Sequence, residues 1–118
     1  MNDKEKLAHE VLSICANSCG YSLSGGGLSI TPNDIVSRNR SENITMSRCI
    51  AVGMLVSLGF TITTCARILN RSAPAIRNMI NMDRQLQETS RVYRIAYRQA
   101  RNQIRSQTKE EDGEKKDD

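Results

Sequence analysis

Apolar residues recur along this chain at intervals of three and four, the spacing of one helix face, and not at the alternation of a strand. In residues 3–19 the stripe is Leu7, Val11, Ile14 and Cys15, with Cys19 one turn further and Gly20 as the expected C-cap. Residues 20–30, with Ser24-Gly25-Gly26-Gly27, read as a connector; no Gly-Lys-Ser/Thr follows, so this is not a phosphate-binding loop. Thr31-Pro32-Asn33-Asp34 predicts a short helix that buries Ile35 and Val36 and ends near Ser37. Thr31 is its N-cap, Pro32 sits where no internal N–H is needed, and Asp34 lies in the first turn. Ser37–Asn43 has no apolar anchor and reads as an exposed, basic loop. Residues 46–58, MSRCIAVGMLVSL, are apolar over most of the circumference and predict the central helix. Thr45 opens it, Gly59 closes it, and Gly53 permits a close crossing.

Residues 61–82 predict two short helices joined by a tight turn. Ile62, Cys65, Ala66 and Leu69 share one face; Asn70 breaks the pattern and is expected in a left-handed conformation. Ser72 is the next N-cap, Pro74 falls in the first turn, and Ile76, Met79 and Ile80 resume the apolar face. Arg77, Asn78 and Asn81 then point elsewhere. Ala66, Asn70 and Ile76 stand at the offsets of a DNA-binding helix-turn-helix: a small residue for the crossing, a turn residue, and an aliphatic anchor. A break is expected near 83–89, then a helix over 90–106. Tyr93, Ala96, Tyr97, Ala100 and Ile104 lie on one of its faces, and Arg91, Arg94, Arg98, Arg101 and Arg105 on the opposite one. The expectation is all-α: a single small helical domain over residues 1–107 and a disordered acidic tail over 108–118.

Charge sharpens this picture. Residues 1–107 hold 14 Lys and Arg, 12 of them Arg, against 7 Asp and Glu, whereas residues 108–118 hold 3 Lys against 6 acids. An Arg-dominated body suits phosphate, because guanidinium forks match its oxygens. Cys15, Cys19, Cys49 and Cys65 show no Cys-x-x-Cys spacing, and His9 is the sole histidine. They read as buried small hydrophobes, so no metal and no cofactor is expected. The charged N-terminus lacks a signal-peptide core, and no apolar run is long enough to span a membrane. A cytoplasmic location and no membrane partner follow as expectations.

Residues 31–82 resemble the C-terminal DNA-binding domain of the bacterial replication initiator DnaA, a fold related to the Trp repressor. Asp34-Ile35-Val36-Ser37 is similar to the short helix before that family's basic loop, and Arg38-Asn39-Arg40-Ser41 to the loop itself. Arg48-Cys49-Ile50-Ala51 is similar to its Arg-Gln-Ile-Ala opening of the central helix, and Ile62 through Ile76 to its helix-turn-helix. The resemblance implies that Arg40 enters the minor groove beside Arg38, that Arg48 and Arg71 touch phosphate, and that Ser72 lies at the DNA face. Where the family reads bases with Asp-His-Thr-Thr, this chain has Ser72-Ala73-Pro74-Ala75, which leaves Arg77 and Asn78, one turn on, to read them.

Two function classes fit. The first is double-stranded DNA binding by a stand-alone protein of this domain type, acting in transcription or replication regulation. The second is a protein-interaction module that kept the fold and docks a partner through the Arg-rich C-terminal helix. Catalysis is not expected: no Ser/His/Asp or Cys/His set and no Walker motif is present.

Overall fold

In the computed structural model the backbone is described for residues 3–24, 30–38 and 41–116, and side chains for 3–19, 30–38 and 41–106. Six helices follow one another: α1 (Asp3–Ser24), α2 (Pro32–Val36), α3 (Glu42–Ser57), α4 (Ile62–Leu69), α5 (Ala73–Thr89) and α6 (Arg91–Lys116), with no strand among the described residues. The all-α expectation holds. No helix of the described residues is long and apolar enough to cross a membrane.

The apolar circumference of α3 explains the architecture, since a helix without a polar face must be covered on all sides. α1, α2, α4, α5 and α6 all pack against it, and Cys49, Ile50, Ala51, Val52, Met54 and Leu55 are buried there. α1 contributes Ala8, Val11, Leu12, Cys15, Ala16 and Cys19, and α6 contributes Tyr93, Ala96, Ala100 and Ile104. All four cysteines are free and buried. Burial pushes the Cys19 and Cys49 thiols up to about 12, so they remain protonated and pack as small hydrophobes.

Local sequence signals set several helix ends. Thr31 and Asp34 form a reciprocal capping box: the Thr31 N–H donates to Asp34 Oδ2 at 2.9 Å and the Asp34 N–H to Thr31 Oγ1 at 3.2 Å. Gly59, at φ 94°, closes α3: the Phe60 N–H bonds Leu55 O and the Gly59 N–H bonds Val56 O, each at 3.0 Å, while Phe60 folds back into the core.

Other boundaries differ from expectation. α1 continues through Gly20 to Ser24, so Gly20 is a helical residue and not the C-cap; a helix tolerates one glycine at a cost of about 1 kcal/mol. α3 begins at Glu42, with Thr45 bonding Ser41 O inside its first turn. Of its first four residues only Ile44 is apolar, and Ser47 and Arg48, three and four residues on, are polar, which is why the pattern located the start too late. α6 runs to Lys116, past the expected end at 106, so the described backbone is helical over 108–116 where disorder was expected; residues 117 and 118 lie outside the described residues.

The largest correction concerns 83–89, expected as a break. α5 runs unbroken to Thr89, and the interruption is the single residue Ser90, whose Oγ accepts from the Tyr93 N–H at 3.1 Å. Asp83 is 6% exposed. Its Oδ1 accepts from Tyr93 Oη at 2.5 Å and its Oδ2 from Gln87 Nε2 at 2.9 Å. The carboxylate lies over Gly53 of α3, where an added Cβ would come within 2.7 Å of Oδ2 and 2.9 Å of Cγ. Gly53 thus permits a close crossing, as expected, and what crosses is a buried acid.

Two predictions follow from this contact. Gly53→Ala gains helix propensity but pushes on a carboxylate held at both oxygens, so a net loss of about 1–3 kcal/mol is expected in urea denaturation. Unchanged stability would mean that Asp83 moves aside freely. The second concerns pH. Burial raises the Asp83 carboxyl above its ordinary 3.8, outweighing the hydrogen bonds from Tyr93 and Gln87 that lower it. The folded state therefore holds this proton more tightly than the unfolded chain. The stabilisation is complete below the ordinary value and is lost as pH rises through the raised one. As pH rises above the ordinary 3.8 and through the raised value, the native chain should lose stability relative to Asp83→Asn. Parallel pH profiles of the two urea midpoints would contradict this.

Candidate nucleic-acid interface

The α4–α5 pair is organised by its caps. Thr61 Oγ1 accepts from the Thr64 N–H at 3.2 Å and starts α4. Cys65 and Leu69 are buried, with Ile62 and Ala66 packed against the core. Asn70 ends α4 at φ 55° and ψ 51°, the left-handed conformation expected of it, and the Arg71 N–H reaches back to Ala66 O at 2.9 Å. Ser72 Oγ accepts from the Ala75 N–H at 3.3 Å and starts α5, with Pro74 in the first turn. Ile76 is fully buried, worth roughly 1.5–3 kcal/mol, and turns that side of α5 towards the core. That roll leaves Pro74, Arg77, Asn78, Asn81, Arg84 and Gln85 exposed.

Beside the turn, two arginines converge on the end of α2. Arg48 is 4% exposed; its Nε donates to Ile35 O at 2.7 Å and its NH2 to Ser37 O at 2.9 Å and Asp34 O at 3.3 Å. Half-buried Arg71 also donates through NH2 to Ser37 O, and through NH1 to Asn70 O at 3.1 Å and to Val36 O and Leu69 O, both at 3.3 Å. The acceptors at α2 are carbonyls of its C-terminal turn, where a helix runs out of intrahelical donors; Asp34 O also accepts from the Ser37 N–H at 3.2 Å. Burial, and then the charge of Arg71, lowers the Arg48 pKa, but a guanidinium so perturbed still keeps its charge at neutral pH.

The expected site residues therefore divide. Arg38, Ser72, Arg77 and Asn78 are exposed, and Arg71 is half-buried next to them in the turn. Arg40 lies outside the described residues. Arg48 is corrected from a surface phosphate contact to an interior side chain whose donors serve α2. No sequence signal marked it, because its acceptors are backbone carbonyls. Arg84 and Gln85 were missed: the break placed at 83 cut off the period that carries Arg77 to Arg84 at i+7. On α6, Arg91, Arg94, Arg98, Arg101 and Arg105 are all exposed, with Arg94 NH1 donating to Gln87 O at 2.9 Å across the corner.

No family model, no curated protein and no solved structure matches the chain.

The clamp on α2 separates the two arginines experimentally. Arg48→Met strands the buried Ile35 carbonyl and should cost about 1–3 kcal/mol in chemical denaturation. Arg71→Ala removes more exposed bonds and should cost less. Equal losses for both variants would contradict the difference in burial.

Proposed function

We propose that this chain binds double-stranded DNA, with α4, the Asn70 turn and α5 acting as a helix-turn-helix of the Trp repressor and DnaA C-terminal-domain type and α5 entering the major groove. The observation that carries the reading is the outward face of α5. Ala66, Asn70 and Ile76 fix the crossing, and the face thus presented, from Pro74 through Gln85, holds two arginines and three amides and no acid. Arg71 and Arg38 flank its start, and nearly buried Arg48 adds positive charge beside them. Phosphate contacts are assigned to Arg38 and Arg71, and a minor-groove contact to Arg40 by resemblance. Regulation of transcription or replication is the process such binding serves, in a cytoplasmic protein with no catalytic step.

A second reading rests on α6, where Val92 is 50% and Ile95 42% exposed beside the arginines. Apolar residues next to a basic stripe suit an acidic protein partner.

Fluorescence anisotropy on a labelled duplex of arbitrary sequence, over a series of salt concentrations, tests the choice. DNA binding should fall log-linearly with salt, and Arg38→Ala and Arg71→Ala should each reduce the slope by about 1, one phosphate contact apiece. A chain that leaves the duplex unbound at low salt would favour the α6 reading.

A further inference from the structure

The unbroken course of α5 adds residues to its outward face and sorts them into rows. At about 100° per residue, Asn78, Asn81 and Gln85 stand at i, i+3 and i+7, in one row down the middle of the exposed face. Arg77 and Arg84, at i and i+7, form a second row along one flank. Met82, 39% exposed, borders the amide row on the other flank. Glu88, one turn past Arg84, ends the basic row. None of the five polar side chains donates or accepts a hydrogen bond among the described residues, so their donors and acceptors are available to a ligand.

The dimensions fit a duplex groove. Seven residues of helix advance about 10 Å, and the major groove is about 12 Å wide. Asn78 and Gln85 are thus about three base-pair steps apart, at 3.4 Å a step. A carboxamide offers one acceptor and two donors, and an Asn or Gln pairs in two places with adenine N6 and N7. A guanidinium on the flank of a helix in the groove faces the phosphate wall and not the floor. An exposed apolar side chain beside the amides matches a thymine methyl group.

We infer that α5 reads an A·T-containing major-groove site through Asn78, Asn81 and Gln85, while Arg77 and Arg84 hold the phosphate backbone along one side. The inference rests on the DNA-binding reading above and assigns Arg77 to phosphate where the resemblance left it to read bases. It enlists Asn81, Arg84 and Gln85 as contact residues, which only a continuous helix through position 83 makes possible.

Selection from a random duplex pool, with the full chain and with single variants, tests it. The native chain should select a motif with adenines within a few adjacent steps. Asn81→Ala and Gln85→Ala should each relax one position, by roughly tenfold in discrimination. Arg84→Ala should leave the motif unchanged, weaken all duplexes alike, and lower the salt slope by about 1. Alanine raises helix propensity at these exposed sites, and thermal melting of each variant checks that the fold is retained. Duplex binding with no motif, with a motif that Asn81→Ala and Gln85→Ala leave intact, or with a guanine-centred motif that Arg77→Ala or Arg84→Ala abolishes would overturn the amide row and leave DNA binding standing. Failure to bind any duplex at low salt would overturn both.

Discussion

The Asp83 carboxylate is the contact on which the arrangement of the helices depends. A carboxylate withdrawn from water must be hydrogen-bonded or it destabilises the fold. Here Tyr93 Oη and Gln87 Nε2 each bind one oxygen, and Gly53 leaves the space that a side chain would fill. Three helices meet there: α3 through Gly53, α5 through Asp83 and Gln87, and α6 through Tyr93. Apolar packing alone tolerates rotation of one helix over another, since dispersion and burial have no direction. A short hydrogen bond between fixed partners does not. This polar junction keeps α5 continuous past residue 83 and sets its roll, which decides what α5 shows to solvent.

The guanidinium pair at α2 does a second job of the same kind. α2 is five residues long and cannot persist alone. Its first turn is closed by the Thr31–Asp34 box, and its last carbonyls are closed by Arg48 and Arg71, from α3 and from the turn after α4. Three segments distant in sequence are thereby tied at Ser37, where the basic loop begins. The charge at this end of the molecule is thus partly structural: the donors of Arg48 are consumed inside, while Arg38 remains exposed beside them. A ligand phosphate at this end would meet a field that the fold already needs for its own integrity.

Much of the helical plan was legible from short-range patterns. The stripe in α1, the apolar circumference of α3, the Ala66–Asn70–Ile76 spacing and the Tyr93–Ile104 face all correspond to buried faces or turns in the structure. The candidate interface was legible only in part. Arg77, Asn78 and Arg71 stand at or beside the surface as their positions in the pattern implied. Arg48 does not, and Arg84 and Gln85 were hidden behind a break that the polar run at 83–89 suggested and the fold does not contain.

The division follows sequence separation. The sequence by itself determined what neighbours three to five residues apart can settle: the capping box of Thr31 and Asp34, the left-handed turn at Asn70, the glycine stop at Gly59, and the side of each helix that must be covered. Only the tertiary structure decided which polar residues go inside. Asp83 is satisfied by Tyr93, ten residues on, and Arg48 by Ile35, thirteen residues back. Arg71 reaches Ser37 across thirty-four positions. A polar side chain is stable in a core only when a partner of the right geometry is brought to it, and neither hydropathy nor helical period carries that information.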